Sequence, residues 1–185
     1  MINGDQNSNG GTALNMASYT DRAQRNLRVD HHLFFLAELE ERPNIPDFTN
    51  RLIAVAPGFA AVKTGIFSGY VRLVVEIHHR APPVSVDEWD EAVEVTLEAT
   101  EGEMEVAAMM DWAPPFPVLT PAGPGHYRAR VHARGRDTAI DSAVDDPVED
   151  YLIQVWPAPA KPQIIYKQND RYGAQWILPE PRNDS

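Results

Sequence analysis

A chain of 185 residues, 43% apolar and without cysteine, has the size of one domain with tails and excludes disulfide and thiolate chemistry. Its 27 acids against 16 basic residues leave a formal charge of −11, which argues against nucleic acid or an anionic membrane as partner and favours a basic protein. No apolar run approaches a membrane span, and the start MINGDQNSNGG lacks the basic-then-apolar order of an export signal, so the expected location is the cytoplasm.

Residues 1–24 are rich in Asn, Gly, Ser and Thr and carry no sustained period, which predicts a mobile tail. Arg28–Glu40 reads as a first strand, with Val29, His31, Leu33 and Phe35 on one face and His32, Phe34 and Leu36 on the other. Leu52–Ala56 and Ala60–Ile66 are short apolar runs split by Pro57–Gly58, a hairpin signal. After a Ser68–Gly69 turn, Val71, Leu73, Val75 and Ile77 alternate with polar neighbours until Pro82–Pro83.

SVDEWDE (85–91) has a helix start's capping-box spacing, Ser85 with Glu88, but allows only one turn before Val93, Val95 and Leu97 restore a period of two. Glu101–Gly102 turns the chain into a strand over Met104–Met110, and the five prolines of 113–124 impose an extended loop. A hairpin follows. HYRARVHAR alternates small apolar with cationic residues, an acidic connection intervenes, and YLIQVW is apolar on both faces apart from Gln154. Gln163–Tyr166 and Trp176–Leu178 could add an edge strand.

Short strands at regular spacing with no long helical period predict an all-β, antiparallel β-sandwich of about eight to ten strands. The expected domain is 25–167, with 168–185 as a C-terminal tail. Its expected core is Val71, Leu73, Val75, Ile77, Val93, Val95, Leu97, Val131, Ile153 and Val155.

Chemistry is harder to find. No nucleophile elbow or phosphate loop appears, and nothing calls for a cofactor. His32 and His78, joined by an acid such as Glu76, would be the ligands of a metal- or small-ligand-binding rival, although no same-face His spacing supports it. Arg128, Arg130, Arg134 and Arg136 could form an anion patch. Pairing with Glu94, Glu98, Asp145, Asp146, Glu149 or Asp150 accounts for them more simply.

The acids are placed one-sidedly. Ten of the 27 lie between Arg80 and Arg128, an interval without Lys or Arg. Within it Asp87, Glu88, Asp90 and Glu91 surround Trp89, and these five residues are the candidate partner-binding site, since Trp is enriched where interfaces are strongest. Trp89 could equally be the ring that tucks this turn onto the body of the domain.

LRVDHHLFF, DEWDEA and the Tyr-led strand ending in YLIQVWPAP resemble the ComJ family of competence nuclease inhibitors, over about 28–36, 86–93 and 126–157. The resemblance implies a small β-rich bacterial protein that binds and inhibits a nuclease. Together with the acidic interval, it leads to the expectation of a non-enzymatic binding protein with a basic partner.

Overall fold

The computed structural model describes residues 19–38 and 44–176, whose regular structure is strand apart from one short helix. In chain order these are β1 (Tyr19–Asp30), β2 (Leu33–Ala37), β3 (Ile53–Ala56), β4 (Phe59–Lys63), β5 (Ser68–His78) and β6 (Glu91–Ala99). Then come β7 (Glu105–Ala107), β8 (Gly125–Arg134), β9 (Ala143–Val144), β10 (Asp150–Pro157), β11 (Ile164–Gln168) and the helix α1 (Arg171–Ala174).

All eleven strands belong to one sheet, ordered β11-β6-β8-β10-β5-β1-β2-β4-β3, with β7 joined to β2 and β9 to β5. This corrects the expected antiparallel sandwich. The sheet is mixed, because β10 runs antiparallel to β8 but parallel to β5, with Tyr151 opposite Leu73 and Val155 opposite Ile77. Alternation reveals which face a strand buries, not the direction of its neighbour.

The sheet rolls on itself. Pro57–Gly58 forms the β3–β4 turn, where Gly58 takes the positive φ of 66° that such a turn needs at its second central position. The Gly58 N–H then donates to the Glu98 carbonyl at 2.8 Å, bringing β3 and β4 against β6. A large core results, and all ten residues expected in it are 4% exposed or less; Leu33, Phe35, Phe59 and Ala61 form a second, smaller cluster. Each such side chain contributes roughly 1.5–3 kcal/mol by leaving water.

Three expectations about the chain's course need correction. Arg28–Glu40 is not one strand, because His31–His32 is the two-residue turn between β1 and β2, with φ of 52° and 63°. Both rings pack on Phe67, and the Thr64 carbonyl lies 3.1 Å from the His32 Nδ1. Secondly, the strand begins at Tyr19 rather than after residue 24. Tyr19–Gln24 is mostly exposed and has no apolar pattern, yet its backbone is laddered to β5, Ala23 opposite Val75. Thirdly, Gln168 closes β11, and the next residues pack inward, with Asp170 4% and Tyr172 2% exposed. Gln163–Tyr166 does contribute to an edge strand, whereas Trp176 follows α1 outside any strand. Residues 1–18 and Leu178, for which a tail and an edge strand are expected, lie outside the described residues.

Candidate functional site

β6 joins two acidic regions that the fold treats differently. Before it, residues 85–90 form a turn and not a helix, closed by the Trp89 N–H to the Val86 carbonyl. Asp87 and Glu88 are exposed here. Trp89 lies over the sheet, 5.3 Å from the His132 ring, with the Arg134 guanidinium 5.1 Å from its own centroid. It tucks the turn onto the body and helps to seal His132, which is fully buried. The His132 Nδ1 faces the Leu152 carbonyl at 3.1 Å, which can only accept, so this nitrogen carries the proton. Burial pushes the imidazole down to about 4.

Asp90 and Glu91 turn inward. The Asp90 carboxylate accepts from the Gly135 N–H at 3.0 Å. Glu91 has no exposed surface; it accepts from the Asp170 N–H at 3.2 Å and lies 3.8 Å from the Arg136 guanidinium. Burial pushes its carboxyl up to about 7, against the pull of Arg136. Arg136 is itself fully buried and makes its close pair with Asp170 at 2.6 Å. Nearby, Glu149 accepts from the Gly65 and Ile66 amides and the Tyr151 hydroxyl, and burial raises its carboxyl. Glu91 is therefore out of a partner's reach in this fold.

The arginines of β8 are spent in the same way. Registry places Glu94 opposite Arg130 and next to Arg128, so one carboxylate pairs with both, at 3.0 and 3.1 Å. Remaining donors reach the Lys161, Pro162, Pro82 and Pro83 carbonyls. Those two covering segments bury a face that alternation alone would leave in water: Arg128 is 1% and Arg130 2% exposed. Arg134 pairs with Asp150 at 2.9 Å. The expected ion pairing is realised through Glu94 and Asp150, and among the described residues Glu98, Asp145 and Asp146 form no ion pair.

The His32–His78 pairing is overturned. The His32 N–H bonds the Phe67 carbonyl at one end of β5, whereas His78 ends that strand ten residues beyond Ser68. That separates them by roughly 33 Å at about 3.3 Å per residue. His32 pairs instead with Asp141, and His78 with Glu76, each at 3.1 Å. No cluster of three or more His, Cys, Asp or Glu suited to a metal occurs among the described residues.

After β6 the acids face outward. The Glu38 carboxylate receives the Thr100 hydroxyl at 2.6 Å and the Thr100 and Gly102 amides at 2.8 Å each, fixing the turn. Burial pushes this carboxyl up, but the hydrogen bonds outweigh it and hold it below the ordinary value. Glu101, Glu103 and Glu105 then alternate with buried Gly102, Met104 and Val106. The chain next exposes Met110 (72%), Asp111 and Trp112 (94%). Between β2, β7 and Ala113 lies a groove of about 300 Å³, lined by Ala37 and Ala107 and by the acids Glu38, Glu103, Glu105 and Asp111. None of Glu98, Glu101, Glu103, Glu105 and Asp111 has an ion-pair partner among the described residues. Sequence reasoning singled out Trp89, which the fold lays over the sheet, and passed over Trp112, which it leaves exposed. The available signal was position, since Trp112 stands between the end of a short strand and a proline run, where neither helix nor ladder can take its ring inward.

No protein-family model and no curated protein matches the chain. Among solved structures it is similar to ComJ, inhibitor of the DNA-degrading activity of NucA, from Bacillus subtilis, with TM-score 0.55 and 15% identity over 74% of this chain and 96% of that one. It is also similar to a structure of crocagin biosynthetic gene J, with TM-score 0.48 and 16% identity over 74% and 97% of the two chains. At such identities the likeness is one of fold, and the resemblance to the ComJ family read from three short segments holds at that level.

Proposed function

We propose that the chain is a non-enzymatic, cytoplasmic binding protein that inhibits a basic partner, most directly a nuclease. The observation that carries this reading is the uneven fate of its charges. The cations of β8 are consumed by Glu94 and Asp150, while the carboxylates after β6 stay exposed and without a basic partner among the described residues. Such an array attracts a basic surface and can stand where nucleic-acid phosphates would, so association should be fast at low salt and slow as screening grows. The fold shared with an inhibitor of a DNA-degrading enzyme supports a nuclease as the target. In the turn before β6, the partner contact reduces to Asp87 and Glu88, the two acids with exposed side chains.

The test is DNA digestion by purified NucA of Bacillus subtilis, and by a nuclease encoded beside this chain's own gene, with rising amounts of the protein. Digestion should stop near equimolar protein at low salt and recover as salt rises. Undiminished digestion at tenfold excess, with no association by either nuclease, would sink the inhibitor reading.

A further inference from the structure

Resting on the reading of a basic protein partner, we infer that the groove beside β7 is where that partner docks, through a segment bearing Lys or Arg whose cationic side chain lies on Trp112. The molecule's own tryptophans supply the argument. Three of the four already carry a cation: the Lys63 ammonium is 3.3 Å from the Trp176 centroid, and the Arg134 and Arg130 guanidiniums are each 5.1 Å from Trp89 and Trp156. Trp112 alone has none among the described residues, and it is the most exposed large apolar side chain there, at 94%. An indole in water beside a 72%-exposed Met110 is an apolar surface that no element among the described residues covers.

The groove sets the occupant's chemistry. Ala37 and Ala107, half-buried on one face of β2 and β7, give it an apolar lining suited to the alkyl stem of a long cationic side chain. Glu103, Glu105 and Asp111 on its margin accept from an ammonium or guanidinium, and the ring face attracts the same charge. The Asp111 carboxylate also accepts from the backbone N–H of Trp112 at 2.8 Å, which fixes the acid beside the main chain that carries the indole. A nucleic acid or an anionic bilayer would meet carboxylates, so a basic polypeptide is the occupant that fits.

The probe is a fluorescent peptide of four alternating Arg and Ala pairs, titrated by anisotropy against the full chain at low salt. Trp112→Ala, and separately the triple variant Glu103→Gln, Glu105→Gln, Asp111→Asn, should each weaken binding at least tenfold with an unchanged melting temperature. Asp145→Asn with Asp146→Asn, exposed acids outside the groove, should leave the peptide affinity as it is. No binding by the wild type, or equal affinity across all variants, overturns the inference. The same variants in the nuclease assay separate the two readings. Inhibition that survives in the groove variants removes the groove as the docking site and leaves the inhibitor standing. Groove-dependent peptide binding without inhibition of any nuclease removes the inhibitor reading and supports the groove as a site for cationic segments.

Discussion

The two ends of β6 hold similar sequence and opposite structure. Before the strand, DEWDE has its Trp laid under Arg134 and two of its acids turned inward, Glu91 at 0% exposure. After it, EGEME and DW keep their acids in water and leave Trp112 almost fully exposed. Registry makes the difference. β8 brings its cations opposite residues 91–96 of β6, and beyond that point its partners are Tyr127, His126 and Gly125. Acid-rich sequence thus becomes internal framework where a cationic strand lies alongside, and open surface where none does.

The largest effect that could break this contrast lies at the buried end. Arg136→Leu leaves Glu91 and Asp170 without their cation, so it should destabilise the fold by about 3–5 kcal/mol in urea unfolding. A cost under about 1 kcal/mol would show that the buried acids are not held by this guanidinium.

Next comes pH. The folded His132 binds its proton only near pH 4, against about 6.5 when unfolded, so its share of stability is lost as pH falls through that window. Glu91 has the opposite sense. Folded, it keeps its proton up to about pH 7, so stability is lost as pH rises from about 4.5 toward 7. Glu91→Gln should therefore tilt the stability curve upward with pH between 5 and 6.5 relative to wild type, by up to about 1.4 kcal/mol per pH unit, and His132→Phe should tilt it downward. Identical slopes in all three proteins would refute the assignment.

The two tryptophans sharpen the comparison directly. Trp89→Ala uncovers His132 and removes the ring under Arg134, so the melting temperature should drop by several degrees, about 1–2 kcal/mol. Replacing Glu101, Glu103 and Glu105 by Gln should change stability by less than about 0.5 kcal/mol, because exposed acids without ion pairs contribute little to the fold. A large loss from that triple change would mean that the outer acids are framework after all.

Most of the framework was readable beforehand. Period-two alternation located β5, β6 and β8, an apolar run located β10, and the ten core residues named from them are all buried. Alternation failed where backbone pairing acts without a side-chain pattern, as in the polar first half of β1, and at His31–His32, which lacks the glycine or asparagine that usually marks such a turn. The surplus of acid was legible, but the packing of Trp89 was not, because a Trp among acids looks exposed until a strand bearing arginines is placed beside it.

Composition and alternation by themselves determined that this protein is β-rich and acidic, and which face of each long strand is dry, because burial of apolar side chains every second residue is a local property of the chain. Tertiary structure alone decided that β10 enters parallel to β5, that Glu94 serves two arginines, and that Glu91 turns inward while Trp112 faces water. These outcomes depend on which strands become neighbours and in what register, a choice made by contacts between residues far apart in sequence, which no local period encodes.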